Sequence, residues 1–204
     1  MAKVMLEGSA FLAPVPVVLL SCCDMQGVPN LITVSWVSVA CQTPAMVSVA
    51  IRSDRASYSR IQEAGEFVLN IPPASLVRAT DLCGTVSGAQ EDKFARAHLT
   101  PVNGDKVRPP LVKECPVNLE CVVRQSIPLG THELFLAEVV AVHADEEVVE
   151  DGLIVLGRVA PFVFDPFGGD YWRLADVIAH HGFSEGSVPD PSQPPPPRKI
   201  QKQI

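Results

Sequence analysis

The 204-residue chain lacks the usual cradles for large nucleotides. No G-x-G-x-x-G follows a strand-like run, and no G-x-x-x-x-G-K-[ST] occurs, so neither a dinucleotide turn nor a nucleoside-triphosphate loop is encoded. No H-E-x-x-H is present. Charge is sparse, at 19% of residues, and the net charge of −7 excludes the broad basic face that nucleic acid needs. Long apolar runs are missing too. The apolar stretch from Phe11 to Cys23 is interrupted by Pro14 and Pro16, which makes it too short and too broken for a membrane span. Met1-Ala2-Lys3 is not followed by the apolar core of a signal peptide. A cytoplasmic protein is expected, with no nucleic-acid and no membrane partner.

Cysteine is not scarce, but its spacing is wrong for metal. Cys22 and Cys23 are adjacent, so in a strand they point to opposite faces. Cys115 and Cys121 share a face only at a separation of roughly 20 Å. Neither pair forms a zinc clamp, and the six thiols are expected to pack as small hydrophobes. No metal site is expected.

What is present is a core-forming composition, 47% hydrophobic, in a chain that buries about 70% of its unfolded surface at this size. Val17 to Cys23, Leu31 to Ala40 and Ala45 to Ile51 read as strands joined by short turns, an antiparallel meander. Ser53-Asp54 reads as the cap of a helix from Ala56 to Ala64, which Gly65 stops. Glu66 to Ile71 is a further strand. Pro72-Pro73 opens a short helix from Ala74 to Leu82, and Cys83 to Gln90 reads as a loop. A helical turn follows at Asp92 to Ala97. Asn118 to Ile127 and His132 to His143 are β-branched runs joined by Pro128 to Thr131, a hairpin. From Ser184 the composition shifts: residues 184–204 hold six prolines and no aromatic residue. The expected organisation is one domain over 1–183 and a Pro-rich tail over 184–204, either a disordered end or an arm laid on a partner.

Three segments carry chemistry. In the first, Asn30 to Trp36, alternation puts Ile32, Val34 and Trp36 on one face and the Thr33 and Ser35 hydroxyls on the other, where they and free backbone N–H groups can hold a polar ring edge or a phosphate. The plainer reading is a half-exposed strand with Trp36 in the core. In the second, Ala50-Ile51-Arg52 ends a strand, and Arg55, Ser57 and Tyr58 open a helix. Arginines and free N–H groups there suit an anion, though a solvated charged loop fits as well. In the third, Cys83 to Gly88 followed by Asp92-Lys93-Phe94, the glycines Gly84 and Gly88 let backbone approach a flat ligand, and Lys93 can neutralise a reduced ring. Its plainer reading is a connector. His98, His132 and His143 are expected on the surface or at an interface.

The order of these segments resembles a known family. Pro29-Asn30, Thr33 to Trp36, Pro44, Val47 to Ile51, Arg55-x-Ser57-Tyr58, Glu66 to Ile71, Cys83 to Gly88, Asp92-Lys93-Phe94, Cys115 to Cys121, Gly130 to Val139 and Tyr171 to Leu174 are similar to the flavin-reductase-like FMN-binding family, which includes flavoredoxin. The resemblance covers roughly residues 8–176. It implies a mainly β protein with a few helices, an FMN-binding split β-barrel, working as a homodimer with FMN near the junction. It implies that Thr33, Val34, Ser35 and Trp36, with Ala50, Ile51 and Arg52, line the isoalloxazine ring. Arg55, Ser57 and Tyr58 belong to the phosphate side, and Cys83, Gly84 and Lys93 to a loop near the flavin. The flavin then carries the reaction and no side chain is a catalytic acid or base. Electrons arrive from NAD(P)H, a transient co-substrate, or from another donor. They leave to free flavin, ferric iron or another small-molecule or protein redox partner. The alternatives are a noncatalytic FMN electron-transfer protein and a flavin-binding module. The basic, hydroxyl-bearing turn at Arg52 to Ser57 suits one terminal phosphate, hence FMN over FAD.

Overall fold

The computed structural model describes residues 1–183; the Pro-rich segment 184–204 lies outside the described residues. The strands are β1 (Val15–Pro16), β2 (Val18–Cys23), β3 (Pro29–Val34), β4 (Val37–Cys41), β5 (Met46–Arg52), β6 (Glu66–Ile71), β7 (Pro101–Val102), β8 (Leu111–Val112), β9 (Val117–Leu129), β10 (His132–Ala144), β11 (Val149–Glu150), β12 (Leu153–Ile154), β13 (Phe162–Asp165) and β14 (Asp170–Arg173). The helices are α1 (Ala56–Ala64), α2 (Val77–Thr85), α3 (Lys93–Ala97) and α4 (Leu156–Val159). Among the described residues no helix is long and apolar enough to cross a membrane. A compact unit ends at Arg173, ten residues before the boundary drawn from composition, and Leu174–Phe183 forms no helix or strand.

Seven strands form one antiparallel sheet in the order β3-β2-β6-β9-β10-β5-β4. Its two edge strands, β3 and β4, are consecutive in the chain and separated only by Ser35 and Trp36. So short a link spans about 10 Å at most. The opposite edges must therefore meet at one corner, and the sheet curls into a split barrel. The single strand expected from Leu31 to Ala40 is thus two strands, and the break lies at Ser35-Trp36.

Period-two alternation fills the interior. Val18, Leu20 and Cys22 of β2 pack with Ile32 and Val34 of β3, Val47, Val49 and Ile51 of β5, Phe67 and Leu69 of β6, Cys121 of β9, and Phe135 and Ala137 of β10. Phe67 and Phe135 are fully buried, each worth about 1.5–3 kcal/mol of burial. The alternate residues Leu19 and Leu31 face the other way and pack with Cys83 of α2, Phe94 of α3, Leu99, Val112 and Cys115. Five thiols are buried and Cys41 is half-buried; none is in a disulfide. Helix α1 runs over the expected residues, buries Ser57 and Ile61 one turn apart, and stops at Gly65 in the left-handed region (φ +67°). Ser53-Asp54 is not its cap. Arg55 takes that position with no side-chain hydrogen bond to the first turn.

On the outer face of β9, Glu120 is fully buried. Its carboxylate accepts the N–H groups of Asp105 (3.0 Å), Lys106 (2.7 Å) and Val107 (2.7 Å) and a bond from His143 Nε2 (2.6 Å). His143 is therefore not a free surface residue. Asp105, Glu120 and His143 have ligand atoms within 4.8 Å of one another, but the Glu120 oxygens are already saturated by hydrogen bonds. The trio anchors the 103–108 loop. Burial raises the Glu120 carboxyl, but the bonds from His143 and the three N–H groups outweigh it and hold its pKa at about 2. A carboxyl lowered on folding stabilises the native state above its unfolded value and loses that contribution as pH falls through the native one. Unfolding by urea should show wild-type stability dropping between about pH 4.5 and pH 2, with a shallower slope for Glu120→Gln over the same window.

Candidate functional site

Two depressions lie along the corner where the sheet is split, and they share Ile32 and Arg55. The first is an open groove of about 190 Å³ lined by Ile32, Thr33, Val34, Ser35, Trp36, Ala50, Ile51, Arg52, Arg55 and His132. Its walls are the end of β3, the Ser35-Trp36 link, the end of β5 and the start of β10, and Ala50 N donates to Trp36 O (2.9 Å), which carries the β4–β5 ladder on to the link. The second is a small pocket of about 50 Å³ between the start of α1 and the α2–α3 connection, lined by Asn30, Ile32, Asp54, Arg55, Ala56, Ser57, Gly84, Val86, Ser87, Gly88 and Lys93.

Eleven of the thirteen residues singled out in the sequence line one or the other depression. Tyr58 and Cys83 do not. The Tyr58 hydroxyl donates to Glu133, and Cys83 sits in the last turn of α2, which extends to Thr85 where a loop was expected. The Cys83 thiol is buried and pushed up to about 11, chiefly by burial, so it is no nucleophile.

Several side chains are placed differently from the simple alternation. Trp36 does not share the interior face with Ile32 and Val34, because the strand ends before it. It is 45% exposed and stacks on His132 with ring centroids 4.4 Å apart. The Thr33 hydroxyl is not free for a ligand, since it donates to Thr80 O on α2. Lys93 lines the small pocket and not the open groove. His132, expected on the surface or at an interface, lines the groove. Burial, then the Arg52 charge, lowers its imidazole pKa, so it is neutral at pH 7.

The electrostatics of the small pocket are unbalanced. Lys93 is 5% exposed, and its Nζ donates to Cys83 O (2.7 Å). Among the described residues no carboxylate pairs with it. Burial lowers its pKa, Cys83 offsets part of this, and the Arg55 charge lowers it further. A buried cation without a counter-ion is costly, and an anion in this pocket removes the cost. The donor set suits one: Lys93, the Arg55 guanidinium, the Ser57 hydroxyl and the uncapped first turn of the nine-residue α1. Arg52 is less available, held by Asp54 through two bonds (3.2 and 2.6 Å), whereas Arg55 lies 4.0 Å from the same carboxylate.

In the sequence Asn30 stands only as a member of the first segment, with no role of its own, although a polar residue inside a β run is a signal in itself. It is buried and donates to Ser57 Oγ (2.8 Å), leaving the Ser57 proton free to point into the pocket. Gly88 lies so close to Asn30 that a Cβ there would fall 1.8 Å from Asn30 Oδ1.

The fold is an antiparallel split barrel with an open groove at the split and a small pocket lined by Arg55, Ser57 and Lys93 beside it. Residues 11–162 match the family described as flavin reductase like domain, and the chain belongs to that family. Among solved structures it is similar to the flavoredoxin of Desulfovibrio vulgaris (Miyazaki F), at 32% identity and a TM-score of 0.84, over 91% of this chain and 100% of that one. The flavoredoxin of Methanosarcina acetivorans matches at 28% identity and a TM-score of 0.85, over 91% and 98% of the two chains. Among curated relatives, the reductase component of the 4-nitrophenol 4-monooxygenase/4-nitrocatechol 2-monooxygenase of Rhodococcus opacus is 31% identical, over 74% of this chain and 76% of its own length.

Gly88→Ala is expected to push Asn30 off Ser57 and lower stability by about 1–3 kcal/mol, read as a drop in Tm. Gly8→Ala, where nothing lies within 4 Å of the added Cβ, is the control and should leave Tm unchanged.

Proposed function

We propose that the chain is an FMN-dependent oxidoreductase, taking electrons from NAD(P)H or another donor and passing them to free flavin, ferric iron or a redox partner. The observation that carries this reading is the buried, unpaired Lys93 beside Arg55, Ser57 and the start of α1, continuous with an open groove. A flat ring joined to one terminal phosphate matches that pair of depressions, and the small pocket is sized for a single phosphate rather than a dinucleotide arm. The donor set therefore fits FMN. Arg55, Ser57 and Lys93 hold the phosphate. The backbone of Ala50 to Arg52 and of Thr33 to Trp36 flanks the ring, with the Trp36–His132 stack at its margin. When bound, FMN supplies a carrier that accepts a hydride and releases electrons singly or in pairs. The chain's own part is to bind, orient and offer N–H donors and cations to negative charge. No side-chain acid or base is assigned.

The groove is open on one side, and we place a second copy of the chain there, giving a homodimer in which both chains surround the ring. Exposed Trp36 and Val39 beside the edge strand β4 fit this arrangement.

A second reading, a noncatalytic electron carrier, is favoured by the likeness to flavoredoxins over nearly the whole chain. The similarity to a monooxygenase reductase component supports the catalytic one. Anaerobic addition of reduced nicotinamide to the FMN-loaded protein separates them. Rapid bleaching of the yellow colour is the expected result, and bleaching only with a partner reductant makes the protein a carrier.

Arg55→Ala should remove a charge-assisted contact of roughly 1.5–3 kcal/mol, about 10- to 150-fold in FMN affinity. FMN should bind more tightly than FAD in the same titration; equal affinity counts against the single-phosphate pocket. Light scattering at low micromolar concentration should give a dimer of the 21.9 kDa chain, and a stable monomer that retains FMN would remove the second copy from the site.

A further inference from the structure

Helix α1 has nine residues, too few to hold a fixed direction by its own hydrogen bonds. Its start must therefore be aimed by tertiary contacts. No side chain caps the first turn, and the backbone of Arg55 is extended (φ −85°, ψ 138°). Two polar contacts reach the turn from the sheet. Asn30 of β3 donates to Ser57, and Tyr58, the next residue, donates through its hydroxyl to Glu133 Oε2 of β10. The Tyr58 ring leans on Phe135 of the same strand, with centroids 6.1 Å apart.

Glu133 is an unusual residue at that place. It is 9% exposed, lies opposite Ile51 of β5, and is adjacent to His132, which lies opposite Arg52. The bonds from Ser126 and Tyr58 hold its carboxyl below the ordinary range, against the effect of burial. It remains ionised, and therefore an acceptor, at neutral pH. Neither Glu133 nor Tyr58 lines either of the two depressions. Yet their bond ties the strand end that bears the open groove to the helix turn that bears the anion pocket.

We propose that Glu133 and Tyr58 are a positioning pair for the phosphate of FMN: their bond fixes the first turn of α1 against β10 and so aims Arg55 and Ser57 into the anion pocket. The inference rests on the FMN reading above. Its signature is selective, because only the phosphate end of the ligand depends on the turn. Riboflavin, which carries the same ring without phosphate, does not use it.

The test is titration of the dimeric or monomeric full chain, as it purifies, with FMN and with riboflavin. Tyr58→Phe removes only the hydroxyl. It should weaken FMN about tenfold, the scale of one lost hydrogen bond to a charged group, and change riboflavin by less than about twofold. Glu133→Ala should match it, and Glu133→Gln, whose amide oxygen still accepts from Tyr58, should recover most of the FMN affinity. The double variant Tyr58→Phe/Glu133→Ala should lose no more than either alone, the mark of one shared interaction. Equal weakening of FMN and riboflavin, or no weakening of either, overturns the proposal and assigns the pair to fold stability alone. If Glu133→Ala fails to fold, Tyr58→Phe decides the matter by itself. Wild-type protein that binds riboflavin as tightly as FMN would sink the phosphate reading, and the positioning role with it. That outcome differs from the others because it appears before any variant is made.

Discussion

Ser35 and Trp36 are all that separate the two outer edges of a seven-stranded sheet. A sheet that wide has a natural twist, but nothing in twist alone brings its first and last strands together at one corner. The two-residue link does, and the rest follows from it. The interior fills with apolar residues from β2, β3, β5, β6, β9 and β10 as a single cluster. The groove opens at the corner because the edges meet there without a full ladder between them. Trp36 is turned outward because a residue in the link cannot keep the inward phase of the strand before it.

The groove alone would be a shallow, mostly neutral surface. What gives it chemical direction is the neighbouring pocket, where the barrel's other face meets α1, α2 and α3. Apolar packing of Leu19, Leu31, Cys83 and Phe94 draws the start of α3 inward and carries Lys93 with it. Among the described residues the resulting buried cation has a backbone carbonyl for company and no carboxylate paired with it. Elsewhere in the chain a buried charge is fully satisfied: Glu120 has three N–H groups and His143. That contrast separates the two sites in kind. The saturated charge is structural, holding a loop over the outer face of β9. The unsaturated one is the group that the proposed function assigns to a ligand.

Much of the architecture was readable locally. The bounds of α1 and β6, the stop at Gly65 and the β9–β10 hairpin all follow from short-range patterns of branched, small and turn-forming residues. The candidate site was readable as a set of segments, since Thr33 to Trp36, Ala50 to Arg52, Arg55 to Ser57, Gly84 and Lys93 all border the two depressions. What escaped was every feature made by a pair distant in sequence. His132 reaches the groove through its register opposite Arg52. Asn30 reaches Ser57 across 27 positions and Tyr58 reaches Glu133 across 75. The residues beside each of these positions do not name its partner.

By itself the sequence determined most of the strands, the bounds of α1 and the segments that border the two depressions, because propensity, alternation and turn formation act over a few residues. Only the tertiary structure decided which side chains face the site. It ended a strand before Trp36, spent the Thr33 hydroxyl on α2, turned Tyr58 to Glu133 and placed Lys93 in the small pocket and not in the open groove. The reason is physical: a side chain's direction depends on where its strand ends and which buried polar partner reaches it first, and both are settled by packing between segments that the chain's local pattern does not relate.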